Sequence, residues 1–410
     1  MANPKVRILI DILEEHFEEL QFLWSQRQTA LRSPRYTLRE LSHLEDRIEA
    51  HVQGLLIAGE QIMALVEKGL SADDPVLAFA AAYALLRLNT EAASKRVLDS
   101  FRQAKGGQLD GVRQALCHVR IPALLPHLRQ MLASLPPPVA VAVAEVLGFQ
   151  RTLELTSEQW NRFFKQENAA IRQAAWRAAR LAIPQAPATY QGALQDEDAA
   201  ARREALLAAA WGRQPWLLEH CRKVAARPSP ENGDAIQLLA ILGKPPDLPA
   251  ILAAGQAAEL GPPRFRVLGA FGHPGAVEAL LKGIESKDPL TAVAAGAAFR
   301  KITAVVIESD KRVQIPPQDG SKPDEFEKEF LDEVKLPSLE LARSHWQKVK
   351  DRFSKGNRWC RGFDLSRDAD PAVLAQLDLE SRWEACLRGK CEGTWKGNPA
   401  DLEVFPQRHV

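Results

Sequence analysis

The side chains in this chain best suited to chemistry are arginines and tryptophans, and they gather between residues 160 and 227. Trp176, Arg177 and Arg180 fall toward one helix face, with Arg172 one turn earlier. The following unit brings Arg202, Arg203, Trp211, Arg213 and Trp216. Guanidinium groups grip carboxylates and phosphates, and indole rings offer broad stacking faces; both types are enriched where binding energy concentrates. A face of this kind holds a protein, a phosphate or a nucleic-acid base. The same residues also have a plainer use. Arginine near the start of a helix pairs with preceding acids such as Glu167 or Asp198, and Trp176 and Trp211 read as half core. The partner-binding ridge expected from the sequence is Arg172, Trp176, Arg177, Arg180, Arg203, Trp211 and Arg213.

Other reactive residues point to less. Cys386 and Cys391 are separated by four residues and Cys360 lies nearby. A structural zinc site wants four ligands, usually as two close pairs. The second pair is missing unless His345 or His409 contributes, so no metal and no cofactor are expected. Cys117 and His118 are adjacent, and adjacent side chains on a helix diverge by about 100°, which disfavours a nucleophilic dyad. There is no Gly-x-Ser-x-Gly elbow and no phosphate-binding Gly-x4-Gly-Lys-Ser/Thr loop. The pairs Glu14/Glu15, Glu18/Glu19 and Asp73/Asp74 read as solvated faces and helix caps. Arg358, Trp359, Cys360 and Arg361 cluster near the end of the chain and leave open a ligand or enzyme site there. The leading expectation is a protein without catalytic residues.

Behind these residues stands a repeat. Helix endings rich in Ala and Leu recur at Leu88, Val119, Gly148, Leu181, Gly212, Gly243, Gly272 and Lys301, at steps of 29 to 33 residues. A period of this size signals stacked supersecondary units. Several units share an internal order. An Asp- or Asn-rich turn caps an Ala-rich helix. Small side chains let neighbouring helices approach, and a closing Gly is expected to take the left-handed turn into the next unit. A Pro soon afterwards, as in GKPP and GHPG, prevents the helix from continuing.

Four segments follow from this reading. Residues 1–70 form an N-terminal helical cap: an amphipathic helix over 5–28, a break at Ser33-Pro34, and a longer helix from Thr37, whose hydroxyl and Glu40 form a capping box. Residues 71–304 carry the repeats. Residues 305–337 are a charged, proline-bearing excursion with no helical stripe before Phe326. Residues 338–410 form an aromatic-rich cap with helices near 338–354 and 371–388 and four of the nine tryptophans. The fold class expected is all-α: a curved α-solenoid of seven or eight short helix pairs between helical caps.

Charge narrows the function. The chain has 53 basic and 52 acidic residues, and residues 70–304 hold 27 and 21. So even a balance argues against a dedicated nucleic-acid binder. The segment MANPKVRILIDILEEHFEEL lacks the features of a secretory signal, and no apolar run reaches the ~18–20 residues of a membrane span. Five scattered cysteines suit a reducing compartment, so a cytoplasmic location is expected.

The repeats at 71–304 resemble the short HEAT-like repeats also found in bilin lyases. In that class the Ala-rich second helices line a concave face. The departures are the poorly matched unit at 89–119 and the triple proline Pro136–Pro138. The chain also looks like one bacterial family of HEAT-like proteins of unassigned activity, found in proteobacteria and sometimes encoded beside type VI secretion genes. The matching segments are RYTLRELSHLEDRIEAHVQGLLIAG and a Trp-x6-Phe-x2-Gly-x-Arg pattern formed by Trp346, Phe353, Gly356 and Arg358, followed by Gly362. The repeats lead to the expectation of a scaffold or adaptor that recognises another protein by rigid shape; the resemblance implies that this partner is a secretion component, an effector or its chaperone. The family offers no catalytic residues to carry over, and without an apolar span no membrane partner is expected. The alternatives left open are nucleic-acid binding along the basic middle and a ligand site in the C-terminal region.

Overall fold

The computed structural model describes residues 10–182, 187–315, 333–354, 356–367 and 370–407. It is mostly helical, and the chain divides into two compact units. The first contains Met1–Gln214, Asp378–Trp383 and Lys396–Val410; the second contains Pro215–Leu377 and Glu384–Trp395.

The first unit begins with α1 (Ile10–Ala30) and α2 (Leu38–Leu56). Five helix pairs follow: α3 (Ile62–Leu70) with α4 (Pro75–Leu88), α5 (Glu91–Gln103) with α6 (Gly106–His118), α7 (Leu125–Ser134) with α8 (Pro137–Phe149), α9 (Ser157–Phe164) with α10 (Ala169–Leu181), and α11 (Pro187–Ala193) with α12 (Ala199–Trp211). The helices of each pair pack together, and each second helix packs on the next, from α4 through α6, α8 and α10 to α12. The second unit repeats this order in α13 (Leu217–Ala225) with α14 (Gly233–Leu242), α15 (Leu248–Gln256) with α16 (Arg264–Phe271), and α17 (Val277–Ile284) with α18 (Pro289–Thr303). There the chain continues through β1 (Glu308–Gln314), β2 (Glu333–Pro337), α19 (Leu339–Phe353), β3 (Trp359–Cys360), β4 (Phe363–Asp364) and α20 (Pro371–Gln376). A last helix, α21 (Leu379–Glu392), runs from residues of the first unit into residues of the second.

Local chemistry explains these elements. Asp74, Asn168, Asp198 and Asp288 each accept a hydrogen bond from a backbone N–H in the first turn of the helix they precede, which satisfies donors the helix cannot. Thr37 and Glu40 form the expected capping box at the start of α2. The second helices α4 and α8 are apolar nearly all round because neighbours cover them on several sides. Every residue of α4 from Ala78 to Leu86 is buried, as is every residue of α8 from Val139 to Gly148. Gly111 lets α6 lie close against α4, since a Cβ there would overlap the Pro75 carbonyl oxygen.

Several expectations need correction. Of the glycines proposed to close repeats, only Gly272 is left-handed, with φ +69°. Gly243 has φ −61° and Gly212 has φ −78°, and Gly148 lies inside α8. The left-handed positions at other helix ends are taken by Asn89, Arg151, Arg213 and Ala304. The chain is also not purely helical. β1 and β2 form an antiparallel ribbon at the base of the excursion, pairing Val313 with Val334, and β3 pairs with β4. The ribbon was hidden because ESDKRVQ lacks the apolar alternation of a half-buried strand; its support includes the exposed ion pairs Arg312–Glu333 and Lys335–Glu308. Residues 5–9 of the first expected helix, Phe326 and His409 lie outside the described residues. Residues 338–410, expected as one cap, are divided between the two units.

Candidate functional site

A polar recess of about 170 Å³ lies in the first unit, at the C-terminal halves of α6, α8 and α10. The repeat places its charges. Arg113 on α6, Glu145 on α8 and Arg177 on α10 stand at intervals of 32 residues. Arg113 Nη1 donates to Glu145 Oε1 at 2.7 Å, and Arg177 Nε donates to Glu145 Oε2 at 3.4 Å. One carboxylate is therefore held between arginines of the repeat before and the repeat after.

A second carboxylate comes from the far end of the chain. Arg32 Nη2 donates to Glu403 Oε1 at 2.8 Å, while Arg180 Nη2 reaches the two Glu403 oxygens at 3.4 and 3.5 Å. Burial alone would raise the Glu403 pKa, but Arg180 and Arg32 outweigh it and hold the carboxyl below its ordinary value. Burial likewise opposes the charges of Arg113 and Arg180. Glu145 near the first, and Glu403 with Glu204 near the second, more than offset it, so both guanidinium pKa values are raised. Apart from the exposed Asp110 beside Arg113, four arginines (Arg32, Arg113, Arg177 and Arg180) meet three carboxylates (Glu145, Glu204 and Glu403), an excess of one positive charge.

Glu403 is positioned by a segment that lies across the first unit. Asn398 Nδ2 donates to the carbonyl of Leu181 at the end of α10, and Arg151 pairs with Asp401. The fully buried Arg27 donates to Glu45 Oε1 at 2.7 Å and to the carbonyls of Glu403 and Val404 at 3.0 and 2.9 Å. Gln407 N–H donates to the other Glu45 oxygen at 2.7 Å. Phe405 packs edge-on to Trp24, which is itself stacked on Phe79.

Cys117 and His118 also line the recess. Burial pushes the Cys117 thiol well above its ordinary pKa, so it stays protonated at neutral pH. Burial, followed by the charges of Arg27 and Arg113, holds the His118 imidazole neutral. Neither group has the activation that a thiolate–imidazolium pair requires.

The structure separates the sequence-derived ridge into different roles. Arg172 is committed to both Asp196 oxygens at 2.7 Å and to the carbonyls of Gln166 and Glu167. Trp176 is 2% exposed and stacks on Phe164 at 4.0 Å. Trp211 is 3% exposed and meets Trp383 edge-on. Both tryptophans are core residues: Trp176 is covered by Phe164 and Tyr190, and Trp211 by Trp383. Arg203 and Arg213 are exposed, and Arg203 lies 3.6 Å from Glu204. Only Arg177 and Arg180 of the seven enter the recess, joined by Arg113, Glu145 and Glu403, which the sequence reading missed. The available signal was a charged residue inside an Ala- and Val-rich run with opposite charges one repeat away on either side.

In the second unit the cluster around Arg358 is structural. Its guanidinium donates to the carbonyls of Ala240 and Ala270 at 3.0 Å and of Gly243 at 2.8 Å, tying together the ends of α14 and α16. Burial, then the charge of Arg388, pushes its pKa down to about 9. Trp359 N–H donates to Gly272 O, and the amides of Arg361 and Gly362 donate to Lys301 O and Ile302 O at the end of α18. Cys360 packs with Leu365, Leu377 and Ala385.

Among the described residues no helix is long and apolar enough to cross a membrane. Comparison of the chain with protein-family models and with curated proteins returns no match.

Proposed function

We propose that the protein is a non-catalytic scaffold of HEAT-like repeats that holds a partner protein by a short, carboxylate-bearing segment. One observation carries this reading. Asn398–Gln407, a segment of that chemistry, already lies against the repeat helices of the first unit, with Glu403 between Arg32 and Arg180. A pre-formed helical surface of this kind freezes few rotamers on binding, so recognition loses little conformational entropy. The exposed Arg203 and Arg213, on α12 and just after it, offer further positive charge to an acidic partner. The resemblance to HEAT-like proteins encoded beside secretion genes suggests a secretion component, effector or chaperone as that partner.

The test is a pull-down from the native host with wild type and an Arg203→Glu/Arg213→Glu double variant, read by mass spectrometry. A protein retained by wild type and lost by the variant, at unchanged melting temperature, is the expected result. The same proteins on both baits, or none on either, would end the scaffold reading.

A further inference from the structure

We propose that the recess between α6, α8 and α10 is a binding site for a small oxyanion, carboxylate or phosphate, held by Arg113, Arg177 and Arg180. This inference stands apart from the scaffold reading, which concerns a partner protein.

Donors outnumber acceptors around the recess. Three guanidinium groups carry five N–H donors each, against two carboxylates. Beyond its 3.4 Å contact to Glu145 through Nε, Arg177 has no partner among the described residues. Arg180 meets Glu204 only at 3.9 Å and Glu403 at 3.4 Å. Arg113 Nε, Arg180 Nε and His118 Nδ1 are buried and without a partner among the described residues. Arg180 is nine-tenths buried. Buried polar atoms are rarely left unpaired, and three of them around one recess point to a ligand.

The arginines are not spent on helix-end carbonyls, the usual structural role at this position. Gln150 Nε2 donates to the carbonyls of Leu116, Cys117 and Val119, and Asn398 Nδ2 takes that of Leu181. The balance of Arg32, Arg113, Arg177 and Arg180 against Glu145, Glu204 and Glu403 is one positive charge, which a single anion neutralises. A volume of about 170 Å³ admits a phosphate or a short carboxylate and excludes a nucleotide. The planar fork of arginine matches both anions.

The test is calorimetric titration of the full chain in a chloride buffer with inorganic phosphate and, separately, with acetate and succinate, alongside melting curves. Wild type is expected to bind one equivalent of at least one anion, with a saturable rise in melting temperature. Tight phosphate with weak carboxylate binding identifies a phosphate site, and the reverse a carboxylate site; either supports the proposal. Arg177→Gln is expected to weaken binding roughly tenfold, the loss of one charge-assisted contact. Arg129→Gln, exposed on α7 and outside the recess wall, is expected to leave it unchanged. Should Arg177→Gln fail to fold, Arg177→Lys carries the comparison, with weakened binding expected from loss of the fork. Absence of saturable binding, or equal binding by wild type and the folded Arg177 variant, overturns the proposal.

Discussion

Arg113 and Glu145 face each other at 2.7 Å from equivalent places on successive repeat helices, and each is about nine-tenths buried. The pair converts sequence periodicity into a fixed polar contact. Removing one partner leaves the other charged and poorly solvated, which costs more than the intact pair contributes. Glu145→Ala, which abandons Arg113 and Arg177 together, is expected to lower stability by about 3 kcal/mol in urea titration. A loss below about 1 kcal/mol would show that water replaces the carboxylate at no cost.

The neutral His118 makes stability depend on pH. Its folded pKa lies well below the ordinary 6.5 because of burial and the charges of Arg27 and Arg113. Below pH 6.5 the unfolded chain therefore binds a proton that the folded chain refuses. This contribution is complete above pH 6.5 and is lost as the pH falls, by up to about 1.4 kcal/mol per pH unit for one proton. His51, His220 and His273 shift in the same direction. His118→Phe should reduce, without abolishing, the decline in unfolding free energy between pH 6.5 and 5. An unchanged slope would remove His118 from the account.

Gly272 and Gly59 form a matched pair for backbone strain. Both have positive φ, +69° and +56°. A Cβ at Gly59 meets nothing within 4 Å, whereas one at Gly272 would overlap the Trp359 carbonyl oxygen. Gly59→Ala is expected to cost about 1 kcal/mol from its conformation alone. Gly272→Ala should cost about 2 kcal/mol more, because the carbonyl must move. Equal losses in the two variants would mean that the segment at Trp359 adjusts freely.

Arg358 donates to three carbonyls that belong to two helix ends. Arg358→Ala leaves those oxygens buried without donors, and a loss of about 3 kcal/mol or more is expected. Arg358→Lys keeps a charge but not the planar fork, so it should restore only part of that stability. Complete rescue by Lys would show that charge, and not donor geometry, holds the helix ends.

Much of the helical framework was legible in the sequence. The marks at Leu88, Leu181 and Gly212 fall within one residue of the ends of α4, α10 and α12, because Ala-rich runs and their capping Asp or Asn residues act locally. The choice of helix closers was not legible. Left-handed φ at Asn89, Arg151, Arg213 and Ala304 is imposed by packing and carries no glycine to announce it. Trp176 and Trp211 resembled an exposed ridge because helical spacing fixes a face without saying what covers it. Arg177 and Arg180 were singled out in the sequence, but Glu403 was not, since its partners stand 223 and 371 residues away.

The contact between Arg27 and the carbonyls of Glu403 and Val404 spans 376 and 377 residues. On a ribosome, helix α1 emerges long before the two carbonyl acceptors of its buried guanidinium. Local helix pairs can form during synthesis, but the first unit cannot finish until that distant segment arrives. Closing so long a loop costs entropy before any contact rewards it, and slow, non-local closure follows. Seating of α1 in the first unit therefore waits on a segment made 376 residues later.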